Sequence, residues 1–425
     1  MFNTFKSIAT IMFIYYLECE SSMAKKNPNF ANLPGAYLFS EMAKKVAAWK
    51  EAHQGVPVYS LGVGNTTEPI PPSINMGLVQ GATKLATRET YTGYGDEQGD
   101  KRLRKALTEH YKRRGVTLDP SEIFVADGAK GLSYHIQAIF GHDNVVAVQD
   151  PAYPVPLNSN VIVGRGGKVV DGKHEGIVYL PCTEENGFFP MMPDGKVDLI
   201  YLIYPNNPTG IAATREQLQT VVDYARENKA VIIHDAAYSS YTPAGYPVSI
   251  FEVPGADKCA VEISSFSKDA GFTGVRLGWI VVPKALTIED TVEGELNSLW
   301  NSFFTRAHNG ASNIAQEGGL AILAERGQRE CVEYVDSVLG NGNVLRAGLG
   351  GMGFKQHGGN PYLWVKVPGG DDVAFTEKML EEAHVVVTPG SGFGPNGRGY
   401  IRISPYGHRE NIEAAMKSIK TNLKI

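Results

Sequence analysis

Residues Ala260–Val282 read AVEISSFSKDAGFTGVRLGWIVV, and this stretch decides the fold. Two β-branched apolar runs at its ends are typical of strands, and a short segment rich in serine and glycine joins them. Lys268 lies in that crossing, with Ser265, Ser267 and Arg276 beside it. An amine held there can form a Schiff base with an aldehyde, while two hydroxyls and a guanidinium can hold a phosphate. The alternative is a solvated lysine in a surface turn, which describes most lysines.

Two upstream segments supply the other groups of a cofactor site. The apolar run VIIHDAAY, residues Val231–Tyr238, contains Asp235, whose carboxylate could pair with a ring nitrogen and keep it protonated. Tyr238, and Asn207 in the turn sequence NNPTG, could each hydrogen-bond a phenolic oxygen. Each motif alone is an ordinary strand end or turn. Their combination with Lys268 predicts pyridoxal 5'-phosphate (PLP) as the cofactor.

The sequence DGAK at Asp127–Lys130 predicts the rest of the phosphate site. It ends a predicted strand and opens a predicted helix, so the backbone N–H groups of Ala129 and Lys130 should face an anion. They would share that anion with the hydroxyls and the guanidinium described above. A plain strand-to-helix turn is the alternative interpretation.

These segments occur in the order and approximate spacing of the fold-type-I PLP aminotransferases, and the chain resembles that family from Met23 to its C-terminus. The segment GFTGVR after Lys268 is the most specific part of the resemblance. Other segments are similar to those of the LL-diaminopimelate aminotransferases: GVGNTTEP at 62–69, YGDEQG at 94–99, QDPAYP at 149–154, NGASNIAQ at 309–316 and PGSGFG at 389–394.

The resemblance implies a set of site residues. Lys268 would hold PLP and act as general base and acid, with Asp235 and Tyr238 as the other catalytic residues. The PLP-binding residues would be Tyr94, Ala129, Lys130, Tyr153, Asn207, Asp235, Tyr238, Ser265, Ser267, Lys268, Arg276 and Asn309. The substrate-binding residues would be Tyr37, Gly64, Lys130, Tyr153, Asn207, Asn309 and Arg402. Glu97 is a weaker candidate for recognising the distal ammonium of the substrate.

The resemblance also implies an activity and an assembly. The expected reaction moves an amino group between LL-2,6-diaminopimelate and 2-oxoglutarate in lysine biosynthesis, giving tetrahydrodipicolinate and L-glutamate. A related PLP aminotransferase acting on lysine or another amino acid stays open as the alternative. The expected assembly is a homodimer with shared active sites, in which Tyr94 reaches the neighbouring subunit. Two departures from the family pattern flank the site: Asp269 after the lysine and His308 before Asn309.

Predicted strands alternate with helices between residues 122 and 282, a pattern typical of a mostly parallel sheet covered on both faces. The chain is therefore assigned to the α/β class, with the fold of the fold-type-I PLP transferases. We expect residues 1–22 to be an extension outside the fold and 23–67 to join the small domain. Residues 68–305 would form the large PLP-binding domain and 306–425 the small α/β domain. The strands predicted for the large domain are Ile123–Ala126, Val145–Gln149, Leu199–Ile203, Val231–His234, Ala260–Ile263 and Leu277–Val282, with a helix at Arg215–Asn228. The strands predicted for the small domain are Pro361–Val367, Val385–Thr388 and Tyr400–Ser404.

Composition excludes several classes of protein. With 425 residues, of which 43% are hydrophobic, the chain can bury a large core and form more than one domain. A net charge of −5 without a long basic run argues against nucleic acid or an anionic membrane as the partner. The four cysteines lie far apart, and no histidine pair has metal-ligand spacing, so neither a disulfide framework nor a metal is predicted.

The first 22 residues include an apolar run, Ile8–Leu17, that is too short to span a bilayer. They lack the arginine and serine richness of transit peptides, and no cleavage site is clear. We therefore expect an upstream extension from a miscalled start, and a cytoplasmic protein. The alternative is an organelle-targeting leader, which would place the protein in a plastid.

Overall fold

The computed structural model describes residues 23–33 and 38–425. The extension 1–22 and the predicted substrate residue Tyr37 lie outside the described residues. In the described part of the chain the α-helices are α1 Leu38–Ala52, α2 Pro72–Thr83, α3 Lys101–Lys112, α4 Ala129–His135, α5 Val155–Ile162, α6 Arg215–Asn228, α7 Glu295–Ala307, α8 Asn313–Leu323, α9 Glu325–Gly350, α10 Asp372–Ala383 and α11 Arg409–Asn422.

The strands of the same residues are mostly short. They are β1 Tyr59–Ser60, β2 Ile123–Ala126, β3 Val146–Asp150, β4 Val169–Val170, β5 Lys173–His174, β6 Ile177–Pro181, β7 Leu199–Ile203, β8 Val231–Asp235, β9 Ala260–Ser265, β10 Gly278–Val281, β11 Gln356–His357, β12 Leu363–Lys366, β13 Val385–Val386, β14 Thr388–Pro389 and β15 Tyr400–Ile403.

The large sheet has the strand order β2-β10-β9-β8-β7-β3-β6. The neighbours from β9 to β6 are parallel, whereas β10 is antiparallel to both β9 and β2. All five residues of β7 are buried, as expected for a strand covered on both faces. The predicted mostly parallel sheet is therefore confirmed. Because β2 and β9 both oppose β10, their carboxyl ends lie at the same edge as those of β7 and β8.

A smaller sheet, with the order β11-β12-β15-β14, packs against α9, α10 and α11 around an apolar core of its own. The N-terminal segment joins this body through a parallel pair, in which Tyr59 lies opposite Val385. The sheets show where the two cores are. The domain limits at residues 22, 67 and 305 stay a prediction.

Local signals explain why some boundaries were predicted well. Helix α6 has the predicted limits because Thr214 and Gln217 form a capping box at its start. Their side chains each accept a hydrogen bond from the other's backbone N–H, at 2.8 and 3.1 Å. The helix ends where Lys229 adopts a left-handed conformation with φ of 56°.

The predicted strand Val385–Thr388 was wrong in one respect, since β13 pairs with β1 while β14 joins the small sheet. Strand β6, at the edge of the large sheet, was not predicted. The glycines at 340 and 342 lie inside the continuous helix α9. At Gly340 a Cβ would come within 2.9 Å of the Arg409 guanidinium, so the small residue allows a close approach to α11.

Candidate active site

The carboxyl ends of β2, β7, β8 and β9 meet at a cavity of about 260 Å³ that also touches the small sheet. Ligands of open α/β sheets commonly bind at this edge. The predicted site residues that line the cavity are Gly64, Ala129, Lys130, Tyr153, Asn207, Asp235, Tyr238, Ser265, Ser267, Lys268, Arg276 and Arg402. The structure thus brings most of the predicted residues together in one chain.

Lys268 lies just after β9, where the chain leaves the sheet, and its amine donates to the backbone oxygen of Gly64. Burial, helped by the charges of Arg402 and Arg276, lowers the pKa of this amine to about 7. A substantial fraction of the amine is therefore neutral at neutral pH. A neutral amine can attack a carbonyl carbon and can accept a proton, which are the two roles predicted for this residue.

The predicted anion site includes Arg276, which has a left-handed φ of 70° and donates to the Thr273 carbonyl at 3.2 Å. Such a conformation costs a non-glycine residue about 1–3 kcal/mol and is typical of functional sites. Gly128, immediately before α4, makes room for the guanidinium, because a Cβ there would lie 2.4 Å from it. The first N–H groups of α4, at Ala129 and Lys130, need no partner within the helix and line the same cavity.

Asp235 ends β8 and presents its carboxyl group to the cavity. One oxygen accepts a hydrogen bond from the Ala237 N–H at 3.0 Å. Burial raises the pKa of Asp235, and that one hydrogen bond and the nearby His234 only oppose the rise. A protonated nitrogen beside Asp235 would stabilise its charged form.

Two groups converge on the hydroxyl of Tyr238. The Asn207 amide lies 3.4 Å away and the Tyr362 hydroxyl 2.8 Å away. Sequence reasoning missed Tyr362, because in NPYLWVKV it looks like one more apolar residue of a strand. It also missed Thr273 and Ile203 as lining residues. Only the packing of the small sheet against the large one brings Tyr362 to this place.

Arg402, on β15, is 1% exposed and its guanidinium is fixed on several sides. One nitrogen donates to the Asn207 side-chain oxygen at 2.7 Å, and another to the Gly62 carbonyl at 2.6 Å. The guanidinium also lies between two rings, 4.4 Å from Tyr362 and 4.9 Å from Phe393. This planar, oriented cation is suited to two-pronged binding of a carboxylate.

Two predicted residues do not reach the cavity of their own chain. Tyr94 is 86% exposed, and Asn309 lies at the surface between α7 and α8. Their positions are compatible with the predicted contribution to the site of a second subunit. Glu97 is also exposed and does not line the cavity.

The departures from the family pattern have partners within the fold. Asp269 accepts a hydrogen bond from the Ser240 hydroxyl at 3.0 Å, and burial raises its pKa to about 6. The imidazoles of His308 and His135 are hydrogen-bonded at 2.9 Å, and the His308 ring stacks on Phe304. Neither Asp269 nor His308 lines the cavity of its own chain.

These residues fit PLP on three observations. Gly128, where a Cβ would collide with the Arg276 guanidinium, and the left-handed backbone of Arg276 leave room for an anion beside the start of α4. Lys268 supplies an amine with a lowered pKa for an aldehyde, and Asp235 supplies a buried carboxyl for a cationic ring nitrogen. The hydroxyl of Tyr238 and the amide of Asn207 supply donors for a phenolic oxygen.

Neither a metal-binding cluster nor a membrane-spanning helix is found in residues 23–33 and 38–425. Over these ranges, no three side chains among histidine, cysteine, aspartate and glutamate are grouped so that they could hold a metal ion. A helix both long and apolar enough to cross a membrane is likewise absent from them.

Comparisons with known proteins agree with this geometry. Residues 56–419 match the family described as aminotransferase class I and II. The chain is 45% identical to an LL-diaminopimelate aminotransferase of Phocaeicola vulgatus over 94% of its length and 99% of the relative. The L,L-diaminopimelate aminotransferase structure from Chlamydomonas reinhardtii superposes with a TM-score of 0.89 at 42% identity, covering 94% of this chain and 99% of that one.

A more distant structure bears on the fold alone. A variant of Thermus thermophilus aspartate aminotransferase superposes with a TM-score of 0.78 at 23% identity, covering 93% of this chain and 99% of that one. Together with the parallel sheet, these matches confirm the predicted α/β class and the fold of the fold-type-I transferases.

Proposed function

The chain belongs to the aminotransferase class I and II family, and we propose that it moves an amino group between LL-2,6-diaminopimelate and 2-oxoglutarate. The products are tetrahydrodipicolinate and L-glutamate, and the reaction serves lysine biosynthesis. The observation that carries the chemistry is the convergence of Lys268, Asp235 and Arg402 on one cavity. The choice of substrate is supported by relatives of that name at 45% and 42% identity across 94% of the chain.

PLP is the cofactor we propose for this cavity. Arg276, Ser265, Ser267 and the start of α4 would hold its phosphate, and Asp235 would face its ring nitrogen. When bound, PLP supplies a ring that withdraws electrons and stabilises negative charge at the α-carbon of the substrate. The carboxylate of Asp235 would keep that ring nitrogen protonated and so would strengthen the electron withdrawal.

Lys268 performs the proton transfers. Its amine, with a pKa near 7, accepts the proton from the α-carbon of the amino donor and later donates it. Arg402 binds the α-carboxylate and so fixes which carbon lies beside that amine. The α-carboxylate and the α-carbon are thereby held in one geometry for both half-reactions.

The far end of the substrate needs polar groups of its own, because diaminopimelate carries a second amino-acid end. Lys130 lines the cavity and can pair with a distal carboxylate. Asn309 of a second subunit and Tyr37 are the other groups we assign to this end. 2-Oxoglutarate also has a second carboxylate, so the same groups serve the amino acceptor.

We expect LL-diaminopimelate to be preferred over lysine as the amino donor by roughly ten- to a hundredfold in kcat/KM. Lysine lacks the second carboxylate and would leave buried polar groups unpaired, which typically costs about 1–3 kcal/mol each. The measurement is kcat/KM for LL-diaminopimelate, the meso isomer, lysine, ornithine and aspartate with 2-oxoglutarate as acceptor. The reverse reaction from glutamate serves as the control, because the proposal requires it. Equal or better turnover of lysine would favour the alternative, a related aminotransferase acting on another amino acid.

The active unit we propose is a homodimer with shared sites. Exposed Tyr94 and Asn309 support it, because they lie away from the cavity of their own chain. So do large apolar side chains left exposed on α2 and the loop after it, which are typical of an interface: Met76, Val79, Leu85 and Tyr91.

Mixing two inactive variants, Tyr94→Phe and Lys268→Ala, should restore activity once the subunits have exchanged. Half of the dimers would then be mixed, and each mixed dimer would have one intact site, giving about a quarter of the wild-type rate. The assay is run without added PLP, so that the weakened phosphate contact of Tyr94→Phe is limiting. As a control, Lys268→Ala is mixed with Asp235→Ala, and this pair should stay inactive because both residues belong to the same chain's cavity. Sedimentation of a fully active monomer would reject the dimer.

The cytoplasm remains the proposed location. The plastid alternative depends on residues 1–22, which lie outside the described part of the chain.

A further inference from the structure

Tyr362, at the edge of the small sheet, is a buried cavity residue to which the steps above give no role. It is 1% exposed, and its hydroxyl lies 2.8 Å from that of Tyr238. The two residues are 124 positions apart in the sequence, so only the fold brings them together. Tyr238 is also the residue that would donate to the phenolic oxygen of PLP. What Tyr362 does to Tyr238 therefore bears on the cofactor.

The direction of the hydrogen bond between the two hydroxyls decides what Tyr238 can donate. A tyrosine hydroxyl has one proton, so Tyr238 can donate into the cavity only if it does not donate to Tyr362. The Asn207 amide, 3.4 Å away, can only donate to the Tyr238 oxygen through its nitrogen. All three groups are hydrogen-bonded when the Tyr238 oxygen accepts from both Asn207 and Tyr362 and the Tyr238 proton points toward the ligand.

Arg402 makes Tyr362 the better donor of the pair. The guanidinium carbon lies 4.4 Å from the centre of the Tyr362 ring. Burial raises the pKa of both tyrosines, but at Tyr362 the positive charge of Arg402 and the hydrogen bond with Tyr238 oppose the rise. Burial also raises the pKa of Tyr238, where the neighbouring Tyr362 adds to the rise and Arg402 is only a lesser opposing cause. The stronger acid of a hydrogen-bonded pair donates the proton.

Close packing holds the Tyr362 hydroxyl in this place. A Cβ at position 64 would lie 1.9 Å from the hydroxyl oxygen, so only glycine lets it come this near. The backbone oxygen of the same Gly64 accepts from Lys268. The Arg402 guanidinium packs on the ring of Tyr362, 4.4 Å from its centre. A hydroxyl fixed on these sides cannot turn away from Tyr238 without moving the reacting groups.

We propose that Tyr362 is a positioning residue that donates to the Tyr238 hydroxyl and so directs the Tyr238 proton toward the phenolic oxygen of bound PLP. The inference rests on the proposed function, because it takes PLP as the cofactor. Without the hydrogen bond from Tyr238, the phenolic oxygen would be a stronger base. It would then hold more tightly the proton that it shares with the nitrogen supplied by Lys268. The midpoint of the pH-dependent change in cofactor absorbance should then lie at a higher pH than in the wild type. The other charged or titratable groups of the cavity, which the test leaves in place, are Lys130, Tyr153, Asp235, Arg276 and Arg402.

The test is the variant Tyr362→Phe, purified with PLP, whose absorbance is followed as a function of pH. We expect the midpoint of the absorbance change to rise by about half a pH unit, the size of effect that one neutral hydrogen bond exerts through a neighbour. Tyr334→Phe is the matched control, because Tyr334 lies in the same buried tyrosine cluster but does not line the cavity. Its midpoint should stay where the wild type has it. An unchanged midpoint in Tyr362→Phe would overturn the proposal.

A double variant separates an action through Tyr238 from a merely structural one. Tyr238→Phe should raise the midpoint further than Tyr362→Phe does, and adding Tyr362→Phe to it should change the midpoint little. Additive shifts would show that Tyr362 does not act through Tyr238. A lower melting temperature with an unmoved midpoint would show that it only packs.

If Tyr362→Phe does not fold, 3-fluorotyrosine incorporated at position 362 keeps the packing and makes the hydroxyl a stronger donor. The midpoint should then move down, opposite in sign to the phenylalanine variant, and no movement would contradict the proposal. A wild-type protein without cofactor absorbance would contradict the proposed function itself. A wild-type protein with that absorbance, and variants that do not move it, would contradict only the role of Tyr362.

Discussion

Lys268→Ala should lower the rate of amino transfer by at least about a hundredfold, because it removes a positioned base and acid from the α-carbon. The loss should appear in kcat, since Arg402 and the anion cradle are untouched and still bind substrate and phosphate. PLP should therefore remain detectable on the variant after dialysis. The measurement is single-turnover kinetics with LL-diaminopimelate, together with the cofactor content of the dialysed protein.

The matched variants for this prediction change a lysine in other ways. Lys268→Arg keeps a positive charge but cannot act as a base at neutral pH, so it should be as slow as the alanine variant. Lys258→Ala removes an exposed lysine before β9 and should leave the rate unchanged. In the wild type, borohydride should bleach the absorbance of the cofactor and leave its mass on the peptide that carries Lys268. A Lys268→Ala protein that works at nearly the wild-type rate would end the aminotransferase mechanism proposed for this cavity.

The groups that carry the cofactor chemistry could be predicted from the sequence because each follows a strand with a local signal. Asp235 ends one buried strand, Lys268 lies three residues after the end of another, and Asn207 lies in a turn after a third. Because the strands are parallel, their carboxyl ends lie at the same edge of the sheet, and no other signal is needed to predict that these residues lie close together. Alternation with helices such as α6 likewise predicted that the central strands are parallel.

The remaining parts of the site depend on contacts between distant segments, for which the sequence carries no local signal. Tyr362 meets Tyr238 across 124 residues, and Arg402 reaches the Gly62 carbonyl across 340. Neither distance is visible in periodicity or in turn residues. Strand β6 was missed because its apolar positions resemble those of any short run in a loop.

The fate of the two departures shows the same limit. Asp269 follows the reactive lysine in the sequence, which suggests a place in the cavity, yet it points to Ser240 on the neighbouring loop. His308 precedes a predicted site residue, yet it pairs with His135 at the end of α4. Adjacency in the sequence does not decide which way a side chain points where the chain turns between elements.

Arg402→Lys should lower kcat/KM for LL-diaminopimelate by about a hundredfold or more. The guanidinium donates to Asn207 and to the Gly62 carbonyl at the same time. Because it is planar, it can also bind a carboxylate in the same plane. A lysine keeps the charge but has a single nitrogen, so it cannot hold both partners and the substrate in one plane. Hydrogen bonds to charged groups typically contribute about 1.5–3 kcal/mol each, so losing one such bond already accounts for roughly ten- to a hundredfold. The loss of a second contact takes the expected effect to the upper part of that range or beyond it.

The pattern of the loss distinguishes carboxylate binding from general damage. Because both the amino donor and 2-oxoglutarate carry an α-carboxylate, KM should rise for both, while Lys268 remains in place to bind the cofactor. The matched control is Arg398→Lys, the same chemical change at an exposed arginine that does not line the cavity. It should have the kinetics of the wild type. An Arg402→Lys enzyme within tenfold of the wild type for both substrates would show that another group binds the α-carboxylate, and the orientation of the α-carbon beside Lys268 would then need a different explanation.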